Sequence, residues 1–236
     1  MDTVVSGSEF AIYGVTAFFT TILPLFIAIG LIVTKKISSR PFIVGAGAFF
    51  ISQVILRMPL LRMFGTQEWY VNFASTVLGL VIIGGLTAGI FEETARYFGA
   101  KLFLRNETYF SDAVGFGLGH AFCEVILFVG ASNINAIFNG IALNKGTFIP
   151  TLVAQGAPQG YIDEVVANIA NPQVFDAAMA ILERVSVVGI HVAMTVLVFT
   201  AINKKNILYY FAAILVHTIT NSVPAFIDTK ENLLLV

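Results

Sequence analysis

Long apolar runs separated by short polar segments make up most of the chain. A helix needs about 20 consecutive apolar residues to cross roughly 30 Å of hydrocarbon. On that length we predict six membrane spans, at residues 10–34, 41–61, 71–103, 110–131, 175–202 and 206–227. The third run is too long for one straight span, so we expect it to be either tilted or broken near the glycine-rich segment 84–89. The pattern therefore predicts an all-α, polytopic membrane helix bundle with about six to seven transmembrane helices.

One long connection, residues 144–172, interrupts this pattern. It begins with a turn-rich segment, QGAPQG, and continues with YIDEVVANIA at 161–170, which we expect to form a short helix at the membrane interface. The sequence contains no internal repeat or second domain. We therefore predict a single integral-membrane domain over 1–236, with a catalytic helix core over 71–227, and we leave open whether a further span follows residue 227.

Composition and charge agree with a membrane protein. Hydrophobic residues make up 57% of the chain and charged residues only 11%, whereas a soluble domain carries about 25% charged residues. The formal net charge of −1 indicates no nucleic-acid partner. The acidic N-terminus lacks the basic region of a signal peptide, so we expect the first run to be a true span. Lysines and arginines follow the first, third and fifth spans, which predicts cytoplasmic loops there. Arg57 and Arg62 fall on the opposite side and are expected to anchor at the interface.

Polar side chains inside the predicted spans are the main chemical signal. Each ionisable residue at mid-bilayer costs about 2.5–3.5 kcal/mol on insertion scales, and such residues tend to be functional. The alternative is a structural hydrogen bond between helices, worth about 0.6 kcal/mol on average. The residues concerned are all three histidines of the chain, His120, His191 and His217, together with Glu92, Glu93, Arg96, Glu124, Glu183, Arg184 and Asn221.

Depth and facing suggest that these residues converge. Glu92 and the three histidines each lie about 15–17 Å from the expected cytoplasmic end of their span. Residues four apart share a helix face, so each of the four helices has a polar stripe. We expect the stripes to point at one another or at a water-filled cavity. The stripes are Glu92 with Arg96, His120 with Glu124, His217 with Asn221, and Arg184 with His191.

One glutamate and three histidines at one depth suit a catalytic zinc site. Three neutral imidazoles can bind zinc and leave a position for water, and a nearby glutamate can act as general base. We predict His120, His191 and His217 as metal ligands and Glu92 as the base. A metal-free water activated by the same residues is the alternative. Supporting roles are expected for Glu124, which would orient a ligand or be one, for Asn221 as an oxyanion donor, and for Glu183 with Arg184, which form either a structural ion pair or a support for the site.

Several motifs resemble those of a known group of membrane proteases. EETAR at 92–96, FGLGH at 116–120 and HTITN at 217–221 are similar to the E-E-x-x-x-R, F-x-x-x-H and H-x-x-x-N/D motifs of the CAAX-protease and bacteriocin-processing family. Together with GLGHAFCE and ERVSVVGIH, they make the chain resemble the YhfC family of intramembrane metalloproteases more closely, over residues 85–225. The PrsW proteases and the Aph subunit of gamma-secretase are similar at a greater distance.

The resemblance implies an intramembrane metal-dependent endopeptidase, with zinc as cofactor and a peptide or membrane protein as substrate. The implied location is the bacterial plasma membrane, in contact with lipid, with the site nearer the cytoplasmic side. Glu92 would activate the water with His120 beside it, and His217 and Asn221 would bind metal or stabilise the oxyanion. Glu93 and Arg96 would support the site, although two residues rather than three separate them. The alternatives are a non-catalytic scaffold resembling the Aph subunit and a proton-coupled carrier.

Overall fold

A computed structural model describes residues 4–105 and 109–227 of the chain. The described residues are almost entirely helical and contain no strand, which confirms the all-α prediction. Within the part of the chain that the structure describes, five helices are long and apolar enough to cross a membrane, and we number them with the shorter ones in chain order. They are α1 (Gly7–Val33), α2 (Ser39–Phe64), α3 (Glu68–Ala74), α4 (Val77–Phe103), α5 (Phe110–Asn144), α6 (Phe148–Ala154), α7 (Gln159–Ala170), α8 (Val174–Asn203), α9 (Leu208–Ser222) and α10 (Pro224–Ile227), of which α1, α2, α4, α5 and α8 are the long ones.

The long apolar run at 71–103 is broken, but not at the expected place. The break lies at residues 75–76, where Thr76 accepts a hydrogen bond from the Gly79 backbone at 3.0 Å and so caps the start of α4. The glycine-rich segment 84–89 continues inside α4. The run predicted as a sixth span forms α9, whose 15 residues cover only about 22 Å. The predicted short helix at 161–170 is confirmed as part of α7.

Several of the long helices contain π-helical stretches, at Phe18–Ile22, Phe50–Arg57, Leu80–Leu86 and Val125–Gly130. The π-helix is rare, and its turns occur frequently at functional sites. The stretch Phe50–Arg57 in α2 carries two polar side chains, Gln53 and Arg57, within an apolar run. Gln53 contacts Glu92, and Arg57 contacts Gln53.

The chain divides into two compact units. The first comprises Met1–Ile29 and Glu124–Val187, and its core is formed by Val5, Leu143, Ile162, Val166 and Ile169. The second comprises Gly30–Cys123 and Val188–Val236, and its larger core cluster is formed by Ala48, Ala100, Leu104, Ala113, Phe116 and Phe199. The single domain over 1–236 and the core over 71–227 stay predictions. All of the histidines belong to the second unit.

Two glycines bring the backbones of α2 and α5 into direct contact in the second unit. A Cβ atom on Gly45 would lie 2.0 Å from the Phe116 carbonyl oxygen, and one on Gly119 would lie 1.9 Å from the Phe42 carbonyl oxygen. No larger residue fits at either position without moving a helix. This approach sets the position of His120, which follows Gly119 directly, relative to α2.

Replacing Gly45 with alanine is expected to destabilise the protein by about 1–3 kcal/mol, because the new methyl group overlaps backbone. Gly47, two residues along the same helix, has no atom within 4 Å of its would-be Cβ. Gly47→Ala is therefore the matched control and should stabilise the helix by about 0.5–1 kcal/mol. Denaturant unfolding of both variants in detergent micelles measures the difference. Equal stability of the two variants would contradict the close crossing.

Candidate functional site

All three histidines of the chain lie together in one buried cluster of the second unit. His120 on α5, His191 on α8 and His217 on α9 are each at most 4% exposed. The ring centroids of His120 and His191 are 4.9 Å apart, and those of His191 and His217 are 5.5 Å apart. Helix α4 brings Glu92, Glu93 and Arg96 to the same cluster, where they are also buried. Four helices thus meet at a set of polar side chains that are buried within the protein.

Glu92 is held through both of its carboxylate oxygens. Its Oε1 accepts a hydrogen bond from Gln53 Nε2 at 2.5 Å, and its Oε2 lies 2.8 Å from His120 Nε2. An ionised carboxylate only accepts, so His120 donates its Nε2–H to Glu92. On the other side, Glu92 Oε1 lies 3.7 Å from His217 Nε2. Glu92 therefore stands between His120 and His217.

Glu93 fixes the orientation of His217. Its Oε1 lies 2.8 Å from His217 Nδ1, which must donate because the carboxylate accepts. The His217 proton is therefore on Nδ1, and the lone pair of Nε2 is left on the side of Glu92. A carboxylate behind a histidine in this way is the arrangement that orients histidine ligands of metals.

Arg96 links Glu93 to the third histidine. Its Nη1 lies 2.6 Å from both oxygens of Glu93, in an ion pair with no exposed surface on either side chain. Its Nη2 lies 3.0 Å from His191 Nδ1. A guanidinium only donates, so His191 Nδ1 is the acceptor and the neutral ring holds its proton on Nε2. The Arg96 Nε, also buried, has no hydrogen-bond partner among the described residues.

Glu92, His191 and His217 form a group that could hold a metal ion. Each offers one ligand atom, all three residues are buried, and the three atoms lie within 4.8 Å of one another. One carboxylate oxygen and two imidazole nitrogens suit zinc and other divalent first-row metals. The lone pair of His217 Nε2 is available for a metal, whereas the lone pair of His191 Nδ1 accepts a hydrogen bond from Arg96. The donor set fits a metal when His191 Nδ1 binds the ion in place of Arg96.

The candidate metal group differs from the three histidines expected from the sequence. Glu92 takes the place of His120, because the His120 Nε2 faces the Glu92 carboxylate. Asn221 is exposed and stands outside the buried cluster, since its neighbour Ser222 takes the buried position against Gly85. Its role as an oxyanion donor stays a prediction.

The remaining supporting residues belong to the first unit. Arg184 Nη1 lies 3.1 Å from Glu124 Oε1, and Arg184 also pairs with Glu183. Both side chains of the first pair are partly exposed, at 19% and 15%. The structure thus contains the ion pair that was one of the two expectations for Glu183 and Arg184. A supporting role at the site stays a prediction for all three residues.

Two residues of the site were missed by reasoning from the sequence. Gln53 is 2% exposed and donates to Glu92. Arg57 was expected as an interfacial anchor, but it donates inward to Gln53 and to groups of α4. The available signal was the amide of Gln53 inside the apolar run FFISQVILRM, which a search for ionisable side chains passes over.

Comparison with known proteins gives a family match over most of the chain. The family model described as "YhfC intramembrane metalloprotease" matches residues 19–236. The "Uncharacterized membrane protein YhfC" of Bacillus subtilis (strain 168) is 30% identical over 202 residues, which is 84% of this chain and 78% of that protein. No solved structure matches the chain at a significant level.

Proposed function

The chain belongs to the YhfC family of intramembrane metalloproteases, and on that premise we propose that it is a metal-dependent endopeptidase that cleaves peptide bonds within the membrane. The observation that supports the proposal is the buried donor group of Glu92, His191 and His217. Buried ionisable groups in spans are costly, so a cluster of six such residues on four helices points to a function beyond packing. Zinc is the proposed metal, because it is the usual partner of such a donor set in hydrolases.

In the proposed reaction, a bound metal supplies Lewis-acid activation of the water and of the scissile carbonyl. Glu92 accepts the proton of the water that attacks the carbonyl carbon. When the carbon–nitrogen bond breaks, this proton passes to the leaving nitrogen. His120 keeps the Glu92 carboxylate in place through its Nε2–H, and Glu93 keeps the His217 ring in place through Nδ1.

The proposed setting is a multi-pass protein of the bacterial plasma membrane, in which the site lies nearer the cytoplasmic side. The proposed substrate is a peptide or a membrane-protein segment. A helix hides its scissile carbonyls in its own hydrogen bonds, so such a segment has to unwind before Glu92 can act on it. The buried polar side chains offer partners to the amide groups that this unwinding releases.

The proposal predicts a specific pattern of metal content. Protein purified without chelators and equilibrated with excess zinc is expected to hold about one ion per chain. His191→Ala and His217→Ala should lower the affinity about 100-fold or more, because each removes a ligand. His120→Ala should still load at saturating zinc, because His120 donates a proton to Glu92 instead of offering a lone pair. Elemental analysis after gel filtration measures the content.

The matched control is Glu68→Gln, which removes an exposed carboxylate and should leave the metal content unchanged. A wild-type protein that holds no metal under these conditions would contradict the metal-dependent mechanism. Equal metal loss from His120→Ala and His217→Ala would instead support the three histidines as the metal ligands. Cleavage itself is measured by the appearance of new peptide termini in membranes that hold wild-type protein, compared with membranes that hold Glu92→Gln.

A further inference from the structure

Gln53 is a side chain without a titratable group that bonds directly to the Glu92 carboxylate. It lies in the π-helical stretch Phe50–Arg57 of α2 and is 2% exposed. Its Nε2 donates to Glu92 Oε1, the oxygen that lies 3.7 Å from His217 Nε2. Gln53 thus contacts the side of Glu92 that faces His217, another member of the candidate metal group.

Arg57 determines which way round the Gln53 amide sits. A carboxamide can present either its oxygen or its NH2 group to a neighbour, whereas a guanidinium can only donate. Arg57 Nη1 lies 3.0 Å from Gln53 Oε1, so the oxygen of the amide is turned to Arg57. The NH2 group is therefore turned to Glu92 and can only donate to it.

Arg57 is itself held by the helix that carries Glu92. Its Nε donates to Thr87 Oγ1 at 2.9 Å, and its Nη2 donates to the Ile83 carbonyl oxygen at 2.7 Å. Ile83 belongs to the π-helical stretch Leu80–Leu86 of α4, and the Thr87 hydroxyl donates to the same carbonyl at 2.6 Å. Helices α2 and α4 are thus joined by hydrogen bonds that one guanidinium donates to a side chain and to a backbone carbonyl of α4.

We infer that Gln53 and Arg57 are positioning residues for Glu92, with Arg57 acting through Gln53. Gln53 holds Oε1 and His120 holds Oε2, so the carboxylate cannot rotate about its last bond without losing a hydrogen bond. This inference rests on the proposed function, since it assigns the orientation of a proposed metal ligand and base. Neither residue is expected to touch the substrate.

The first test is a titration of the purified full-length chain with Co²⁺ alone, followed by its visible absorption. Gln53→Met keeps the length of the side chain but removes the donor, and it should weaken Co²⁺ binding about 10–100-fold. Gln67→Met, which alters an exposed glutamine, is the matched control and should bind as the wild type does. Arg57→Met should weaken binding in the same direction, and Arg62→Met, which alters an exposed arginine of the same helix, should not.

The double variant separates positioning from a general loss of structure. If Arg57 acts through Gln53, then Arg57→Met in the Gln53→Met background should cause less than about a twofold further loss of affinity. If the two losses of affinity multiply, the residues act independently, and the inference that Arg57 acts through Gln53 is overturned. Arg57→Lys serves if Arg57→Met does not fold, because an ammonium keeps the charge but cannot supply the planar fork, and binding should remain weakened.

The second test needs no metal. The infrared band of the Glu92 carboxylate is identified as the band lost in Glu92→Gln, and it should shift in Gln53→Met but not in Gln67→Met. An unshifted band in Gln53→Met overturns the inference. If the wild-type protein binds no Co²⁺ but the band shifts, the proposed metal function fails while the positioning of Glu92 by Gln53 stands.

Discussion

Replacing Glu92 with glutamine is expected to abolish both metal binding and hydrolysis while leaving the helices folded. The substitution removes the oxygen ligand's charge and the proton acceptor in one step. It also leaves a mismatch, because Gln53 and His120 both donate to position 92 and a glutamine offers an oxygen to only one of them. We expect a loss of cleavage of at least about 10²–10⁴-fold, the usual contribution of a general base.

The measurement combines zinc content, cleavage in membranes and unfolding in detergent on the same preparation. Glu68→Gln is the control for the loss of a carboxylate at an exposed position. Retained cleavage in Glu92→Gln would refute the role of Glu92. A lower stability together with no cleavage by the wild type would instead support the non-catalytic scaffold, and uptake driven by a pH gradient would support the proton-coupled carrier.

Replacing Arg96 with methionine is expected to cost about 3–5 kcal/mol of stability, the usual cost of removing one partner of a buried ion pair. The Arg96 and Glu93 side chains are both completely buried, so methionine would leave the Glu93 charge without its guanidinium partner. His191 would also lose the donor at Nδ1. The unfolding free energy in detergent, measured by denaturant titration, gives the loss.

A second arginine of the chain provides the comparison. Arg184 also pairs with glutamates, but its side chain is 19% exposed and Glu183 is 53% exposed. Arg184→Met should therefore cost only about 0–1 kcal/mol. The double variant Glu93→Gln, Arg96→Met should regain part of the loss, because it removes the uncompensated charge. A cost for Arg96→Met no larger than that for Arg184→Met would mean that the pair does not stabilise the fold.

The helices and the meeting of their polar stripes could be predicted from the sequence. Apolar length alone locates the five long helices, because backbone groups in hydrocarbon must be satisfied within a helix. Depth along each helix then brings Glu92 and the three histidines to one level. The break at 75–76 was missed because two small uncharged residues, Ser75 and Thr76, interrupt the apolar run only briefly, and the cap by Thr76 marks the start of α4.

The atomic contacts within the candidate site could not be predicted, because they depend on the rotation of each helix and on side-chain rotamers. Whether His120 offers a lone pair or a proton to its neighbour differs only by a ring orientation. The exposure of Asn221 depends on how the last turn of α9 packs, which residue spacing alone does not give. Gln53 was missed because an amide costs less in hydrocarbon than a charge and so stands out less.

The pairing of Glu93 with His217 has a consequence for the synthesis of the protein. The two residues are 124 positions apart, so at about 5–20 residues per second roughly 6–25 s pass between their synthesis. During that interval α4 has to enter the membrane with two glutamates and one arginine in it. Arg96 lies three residues from Glu93 on the same helix and can neutralise it at once. We therefore expect Arg96 to be the counter-ion of Glu93 during insertion, before α9 brings His217 to the site.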